Sequence, residues 1–514
     1  MEQYRQEQGQ KWTVQMPLCD RQILTEISAD VSLPDYQPEI KRLLRVRATA
    51  LPTDKYVGAG SAEIAGSVEY RILYTGNDGG LYCATHVEEY RLSVPVERPL
   101  DFEPSEGIVC DAVTLAEPAV FRAAAPRRIS LRSRLRTRVR MYGLRAPEER
   151  ILGKAPGEAE RLMGRAECAR VFFGNGETRS LADEILLEDA SKEWRVVSAE
   201  GQVFVGDATA GSGTVICRGE VCLQLLCAAE TDGETCLLLR RIPFHEEVPT
   251  DGAEVNCACR ADGVCTELRV TVGEGKILCE VGLRLRTVAQ RNETVSYTRD
   301  LYFPSVLAEV RRQELLLPKA LRCLNGNFSL NTTLAQGGLA VAKGQRILEA
   351  TATASAAELE GEHGKLFLKG SCHCQVLLSD EREITLQETD IPFRYALEGV
   401  SEDAVEDWDA SLEVVSCRAR ADGERMAIDA EIAVSLSAYG KTRILTVEEV
   451  ELGETVAADA AAYRICYPSR EDSLWSVAKR YHCPIEALCL GNDLGGTAAA
   501  DSPDSLAEKT YLLL

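Results

Sequence analysis

The sequence predicts a mainly β protein: three tandem β-sandwich-like repeat domains, then a small C-terminal α+β domain of strand–helix–helix–strand (βααβ) order. Three observations carry this. The segment Gly66-Ser67-Val68-Glu69-Tyr70-Arg71-Ile72-Leu73-Tyr74 returns as Gly219-Glu220-Val221-Cys222-Leu223-Gln224-Leu225-Leu226-Cys227. It returns again as Gly370-Ser371-Cys372-His373-Cys374-Gln375-Val376-Leu377-Leu378, at spacings of 153 and 151 residues. Such spacings belong to whole domains and not to a short-period solenoid. Around these segments apolar and polar residues alternate with period two between Gly/Asp/Asn turns, the pattern of half-buried strands. From Tyr463 onward the pattern changes to helical spacing.

Taken in order, residues 1–150 form the first β domain. Thr75-Gly76-Asn77-Asp78-Gly79-Gly80 separates two alternating runs as a hairpin loop would. A second apolar stretch follows each repeated glycine by about two dozen residues, at Tyr90-Arg91-Leu92-Ser93-Val94-Pro95-Val96, Arg241-Ile242-Pro243-Phe244 and Asp390-Ile391-Pro392-Phe393. Each unit closes on a long alternating run, Ile129 to Met141, Ile277 to Val288 and Met426 to Tyr439. In the first of these, Arg132, Arg134, Arg136, Arg138 and Arg140 share one strand face, with Leu131, Leu135, Val139 and Met141 on the other. Pairing with cross-strand carboxylates explains this stripe better than a basic docking surface does.

Pro147 to Cys168 reads as a helix or linker opening the second domain, residues 151–312. The second and third domains, the latter spanning 313–455, share an Ala-Asp-Gly turn at Ala261-Asp262-Gly263 and Ala421-Asp422-Gly423. The last domain is 456–514. There Tyr463 to Tyr467 reads as a short strand. Leu474, Val477, Ala478 and Tyr481 fall on one helical face, capped by Asp472 or Ser473. A second short helix follows Pro484, with Ile485 and Leu488 inward and Glu486 in its first turn. Gly491-Asn492-Asp493 ends it, and Thr510 to Leu514 returns as a strand. On helical placement, Trp475 reads as a core residue and not as a sugar platform.

Composition limits the function classes. The chain has 514 residues, of which 45% are apolar and 27% charged, close to an ordinary globular protein and far from a wholly disordered one. No run approaches the roughly 18–20 apolar residues of a membrane-spanning helix. The polar start, Met1 to Gln8, lacks a secretory signal, so a cytosolic location is expected. A net charge of −22 repels phosphate backbones and argues against nucleic-acid binding.

The 19 cysteines are expected as reduced thiols packed as small hydrophobes, as in the alternating run of Cys217, Cys222 and Cys227. The C-x-C pairs Cys257/Cys259 and Cys372/Cys374 lack the second pair of a closed zinc site, so no metal or other cofactor is expected. No phosphate loop, nucleophile elbow or H-E-x-x-H motif occurs. The five histidines are dispersed, and acidic pairs such as Glu88/Glu89 and Glu246/Glu247 sit at polar strand positions. No enzymatic activity is expected.

The run Glu471-Asp472-Ser473-Leu474-Trp475-Ser476-Val477-Ala478-Lys479-Arg480-Tyr481, with Asn492 beyond the second helix, resembles the LysM domain. That family commonly binds N-acetylglucosamine polymers between two loops, here Pro468–Ser473 and Gly491–Leu494. Arg470-Glu471-Asp472 departs from its usual glycine-aspartate pair, and Gly495 to Lys509 is long and acidic. The resemblance implies a binding module built on Arg470, Glu471, Asp472, Ser473, Leu474, Trp475, Gly491, Asn492, Asp493 and Leu494, with a protein or a glycan as ligand. Ile27-Ser28-Ala29-Asp30-Val31-Ser32-Leu33-Pro34-Asp35-Tyr36-Gln37-Pro38-Glu39-Ile40 resembles the opening of the SPOCS domain of spore-coat proteins. Tandem SPOCS repeats before a LysM domain are similar to the clostridial spore coat morphogenetic proteins. That resemblance implies a scaffold made in the mother-cell cytoplasm and recruited to the forespore surface and spore coat. Its implied partners are the coat basement-layer ATPase, bound by the LysM domain, and other coat proteins. Peptidoglycan of the cell wall or spore cortex is the alternative ligand.

Overall fold

The computed structural model describes residues 12–514 except 59, 97–107, 154–156, 188–191, 231–232, 335–340, 343, 381–382, 400–403, 423–424, 457–463, 495–500, 503–505 and 507–508. Met1 to Gln8, Gly423, Tyr463 and much of Gly495–Lys509 therefore lie outside the described residues. The protein is mainly β, and the two helices among the described residues both fall within 474–491. None is long and apolar enough to cross a membrane.

The first repeat contains β1 (Val14–Ser32), β2 (Ile40–Ala50), β3 (Asp54–Val57), β4 (Ser61–Gly76), β5 (Leu81–Pro95), β6 (Val109–Ala116), β7 (Val120–Ala125) and β8 (Arg128–Arg145). One sheet centres on β4, flanked by β5 and by β2 with β3. The other centres on β8, flanked by β1 and by β6 with β7. After the short β9 (Arg150–Leu152), the second repeat contains β10 (Glu160–Asn175), β11 (Arg179–Leu186), β12 (Trp194–Ala210), β13 (Thr214–Ala229), β14 (Thr235–Pro249), β15 (Ala258–Gly273) and β16 (Lys276–Tyr302). The third contains β17 (Val306–Leu334), β18 (Arg346–Glu362), β19 (Lys365–Ser379), β20 (Ile384–Leu397), β21 (Asp407–Asp422) and β22 (Arg425–Thr455). Their sheets repeat the first plan: β12-β13-β14 and β18-β19-β20 match β2-β4-β5, while the long closing strands β16 and β22 take the place of β8.

The two sheets of each repeat share an apolar core. Val68, Tyr70 and Ile72 meet Ile129, Leu131 and Leu135 in the first repeat. Val221, Leu223 and Leu225 meet Cys279, Val281 and Leu283 in the second. Cys374 and Val376 meet Ile428 and Ile432 in the third. The repeated glycine has a steric role in all three. Gly66, Gly219 and Gly370 lie directly across from Tyr90, Phe244 and Phe393. A Cβ at these glycines would sit 2.7, 2.7 and 2.4 Å from the nearest atom of the respective ring. The ring covers the backbone that the missing side chain leaves open.

The repeats close on one another in a ring. β5 lies against β12, β14 against β18, and β20 against β2. At the centre, Leu73, Leu226 and Leu377 join Leu44, Val197 and Leu348 in one buried cluster, each trio with the same 153- and 151-residue spacing. Burying each such leucine is worth roughly 1.5–3 kcal/mol, so the cluster favours a closed ring over separated beads.

Three expectations are corrected. Among the described residues no helix forms between Pro147 and Cys168. Residues 150–152 pair in parallel with Glu449–Glu451, and β10 runs antiparallel to β16 with Ala166, Cys168 and Ala169 buried. Gly164 lies under the Tyr297 ring, and pairing with a long neighbouring strand overrides the helix-forming Glu and Arg. The second is the shared Ala-Asp-Gly turn: Asp262 lies mid-strand opposite Arg286, whereas Asp422 ends β21. Third, the chain passes from second to third repeat between Tyr302 and Val306, so position 312 is inside β17. The closing strand runs past Val288 to pair with β10, which a period-two reading of its apolar half did not reveal.

Candidate functional site

Two constructions stand out: the ionic seams between the repeats and the terminal unit with its docking contacts. At the first seam, Asp111 and Asp262 each lie opposite an arginine, Arg140 and Arg286. The corresponding Asp409 lies opposite Ser437. Arg260, fully buried, fills that place: its Nε donates to Ser437 Oγ at 2.7 Å and its guanidinium pairs with Asp409. Arg140 spans Asp111 at 3.1 Å and Asp409 at 2.8 Å, and Arg286 spans Asp111 at 2.9 Å and Asp262 at 2.5 Å. All three repeats are thus bridged. Burial alone would raise the Asp111 carboxyl, but Arg286, Arg140 and Lys55 outweigh it and hold it at about 2. Asp409 is likewise held well below the usual carboxylate range, by Arg260, Arg140 and Arg286 against its burial.

The second seam lies beside the leucine cluster. Arg45 of the first repeat pairs with Glu200 of the second at 3.2 Å and Glu349 of the third at 2.9 Å, and Arg47 pairs with Glu200 at 2.5 Å. A cleft of about 50 Å³ beside it is lined by Arg47, Glu69, Arg71, Glu200, Gln202 and Glu413. Burial pushes the Glu413 carboxyl up to about 7; Arg47 opposes this while Glu200 and Asp262 add to it. The arginine stripe leads into the first seam. Arg134 faces Glu26, Arg136 meets Glu117 at 2.7 Å, and Arg138 meets Asp20 at 2.7 Å and Asp407 at 3.2 Å. From Arg134 to Arg140 the stripe therefore meets carboxylates of its own repeat and, at its buried end, of the third repeat; Arg132 lies opposite Ser28 and Val120.

The terminal unit has the expected strand–helix–helix–strand order: β23 (Ile465–Cys466), α1 (Leu474–Tyr481), α2 (Ile485–Gly491) and β24 (Leu512–Leu513), with β23 antiparallel to β24. Ser473 caps α1 in a capping box with Ser476, satisfying backbone donors at both ends of the turn. Asp472, buried beside it, accepts from the Ser469 amide at 2.9 Å and from Arg480, which hold its carboxyl at about 2. Leu474 and Trp475 are buried in one core with Val477, Leu488 and Leu512, and Leu494 packs on its margin. Asn492 is also buried. Its amide donates to the Leu488 and Leu513 carbonyls at 2.9 and 2.8 Å and accepts from the Leu513 amide at 2.7 Å, which pins β24 to the end of α2.

The core of this unit is completed by the second repeat. Tyr302, at the tip of β16, packs edge-on to Trp475 with centroids 5.1 Å apart, and its hydroxyl donates to the Cys483 carbonyl at 2.6 Å. Asp300 accepts from Trp475 Nε1 at 2.9 Å, from Lys479 at 2.7 and 2.8 Å, and from Arg312 at 2.7 Å. His482 Nδ1 lies 3.0 Å from the Phe303 carbonyl. The α1 face is therefore closed by the chain itself.

Of the ten residues expected at a binding site, Asp472, Ser473, Leu474, Trp475 and Asn492 are buried in internal roles. Arg470, Glu471, Gly491 and Asp493 are exposed, and Leu494 is half-buried. Asp493 holds a left-handed φ of 51°, which asparagine and aspartate tolerate better than most residues. Sequence reasoning missed Asp300, Tyr302 and the seam charges. The aspartates at 111, 262 and 409 recur at nearly the repeat spacing and were detectable; nothing local marked Asp300. No protein-family model matches this chain, and no curated protein and no solved structure is similar to it.

Proposed function

We propose that this chain is a non-enzymatic scaffold of spore coat assembly. In this reading each pair of sheets is a SPOCS-type β-sandwich domain and the terminal unit is a LysM-type module. The module recruits the scaffold from the mother-cell cytoplasm to the forespore surface by binding the coat basement-layer ATPase, and the three fused repeats offer their outer faces to further coat proteins. The observation that carries the choice of a protein ligand over a wall glycan is the internal use of the module's distinctive side chains. Trp475 is bonded to Asp300 and Asn492 to Leu513, so neither is left to stack on or hydrogen-bond a sugar. What the loops leave to a partner is charge, on Arg470, Glu471 and Asp493, with the exposed apolar side chains Tyr467 and Leu490 nearby in sequence.

The test is binding of the full chain to the purified coat ATPase and, in parallel, to purified peptidoglycan. Arg470→Glu and Asp493→Lys variants are compared, because these exposed positions leave the core intact. Saturable binding to the ATPase that weakens at least tenfold in the charge variants is the expected result. Retention on peptidoglycan with no affinity for the ATPase overturns the proposal and favours a glycan-binding protein.

A further inference from the structure

The second repeat lacks two carboxylates on which its sister relies. In the first repeat Arg138, two residues before Arg140, is held fork to fork by Asp20 at 2.9 and 2.7 Å. The third repeat adds Asp407 at 3.2 Å and the Trp408 carbonyl at 2.9 Å. Strand register identifies the matching positions. Asp20 lies opposite Arg140 as Asn175 lies opposite Arg286, and Asp407 lies opposite Tyr439 as Val109 lies opposite Tyr142. Arg284, two residues before Arg286, therefore stands where Arg138 stands, with an amide in place of Asp20 and an apolar side chain in place of Asp407. Its own contacts are poor. Nε donates to the Gly176 carbonyl at 3.2 Å, and one terminal nitrogen lies 3.5 Å from Asp54, whose side chain is 84% exposed. The Asn175 side chain is exposed and makes no hydrogen bond among the described residues.

A cleft of about 80 Å³ opens at this point between the first and second repeats. Asn175, Asp262, Arg284 and Arg286 line it on the second repeat, with Leu51 and Val113 from the first. Arg286 is already paired with Asp111 and Asp262, so the charge left without a buried partner is that of Arg284. We propose that this cleft binds a small monocarboxylate, whose carboxyl group takes the place that Asp20 occupies in the first repeat.

Each property of the cleft narrows the ligand. A guanidinium presents its N–H groups as a planar fork that matches a carboxylate, the pairing Arg138 already makes. The Asn175 amide, unlike a carboxylate, is a hydrogen-bond donor to an anion. Leu51 and Val113 offer an apolar wall to a short alkyl tail. Asp262 in the same lining repels a second negative charge, which disfavours phosphate and dicarboxylates. The volume is far below that of a drug-sized pocket, so only a small ion is admitted.

This inference is independent of the scaffold reading. To test it, the full-length protein is titrated with sodium propionate at neutral pH and saturation transfer to the propionate protons is followed by NMR. Sodium chloride and sodium phosphate serve as competitors at matched ionic strength. The expected result is saturable transfer that phosphate displaces no better than chloride does. Asn175→Asp, which restores the first repeat's internal carboxylate beside Arg284, and Arg284→Gln are each expected to weaken propionate binding at least tenfold. Absence of saturable transfer overturns the proposal, as does displacement by phosphate at concentrations below that of propionate. Unchanged affinity in folded Asn175→Asp overturns it as well. The competition on the wild-type protein decides the question whether or not a variant folds.

Discussion

Asp409 faces Ser437 across β21 and β22, at the register position where the first repeat sets Asp111 against Arg140. The missing arginine is supplied by Arg260 of the second repeat, through hydrogen bonds to Ser437 at 2.7 Å and Ser435 at 3.2 Å and an ion pair to Asp409. An irregularity in the internal symmetry has become a bond between domains.

Removing one member of such a buried network leaves its partner charged and poorly compensated, at a cost of about 3–5 kcal/mol. Arg260→Ala and Arg140→Ala are each expected to lower unfolding stability by this order. Arg134→Ala, on the exposed part of the stripe, is expected to change it by less than about 0.5 kcal/mol. Urea denaturation of the three variants checks the contrast.

The repeated glycines are not equivalent in what a methyl group would strike. At Gly219 and Gly370 a Cβ would lie 2.0 and 2.1 Å from the backbone carbonyls of Phe204 and Ser355, whereas at Gly66 the nearest atoms are the movable tip of Tyr90. Gly219→Ala and Gly370→Ala are expected to cost at least about 2–3 kcal/mol by overpacking, and Gly66→Ala distinctly less. Thermal unfolding midpoints give the order.

Glu413 sets a pH dependence of definite sign. Its folded pKa of about 7 exceeds that of an unfolded glutamate. Stability is therefore unaffected below about pH 4.5, falls as pH rises through neutrality, and is lowest above pH 7. Glu413→Gln removes this penalty, a gain of up to about 3 kcal/mol in alkaline buffer and little at acid pH. Asp111 acts in the opposite direction, since its depressed pKa of about 2 adds stability that is lost as pH falls from about 4 to 2. Denaturation midpoints of wild type and Glu413→Gln across this range check both signs.

Asp300 holds the terminal unit in place. Asp300→Ala leaves the Trp475 indole N–H unbonded in the core, while Lys479 and Arg312, partly exposed, can turn to water. A loss of about 1–3 kcal/mol is expected, confined to the terminal unit. Hydrogen exchange that rises in residues 474–491 and stays unchanged in β4 and β13 is the expected pattern.

Much of this architecture was written in local pattern. Period-two alternation and the recurrence at 66, 219 and 370 announced three copies of one β plan, and the spacing of Leu474, Val477, Ala478 and Tyr481 announced α1 with its cap. The segment from Pro147 to Cys168 misled because its charged residues favour a helix in isolation, and only the tertiary structure gives it strands to pair with, β22 for residues 150–152 and the long β16 for β10. Trp475 was legible as a core residue from its helical phase. Its bond to Asp300 was not, since two residues 175 positions apart carry no mark of one another.

The sequence by itself determined the periods: which faces are apolar, and that one unit is repeated. These follow from the fixed geometry of strands and helices, which any stretch of chain obeys without reference to the rest. Tertiary structure alone decided that the repeats close into a ring, that Arg260 completes the third repeat's seam, and that β16 seals the face of α1. Those outcomes depend on desolvating charges and leucines from three distant segments at once, and the energy of such a contact exists only when all of its members have arrived.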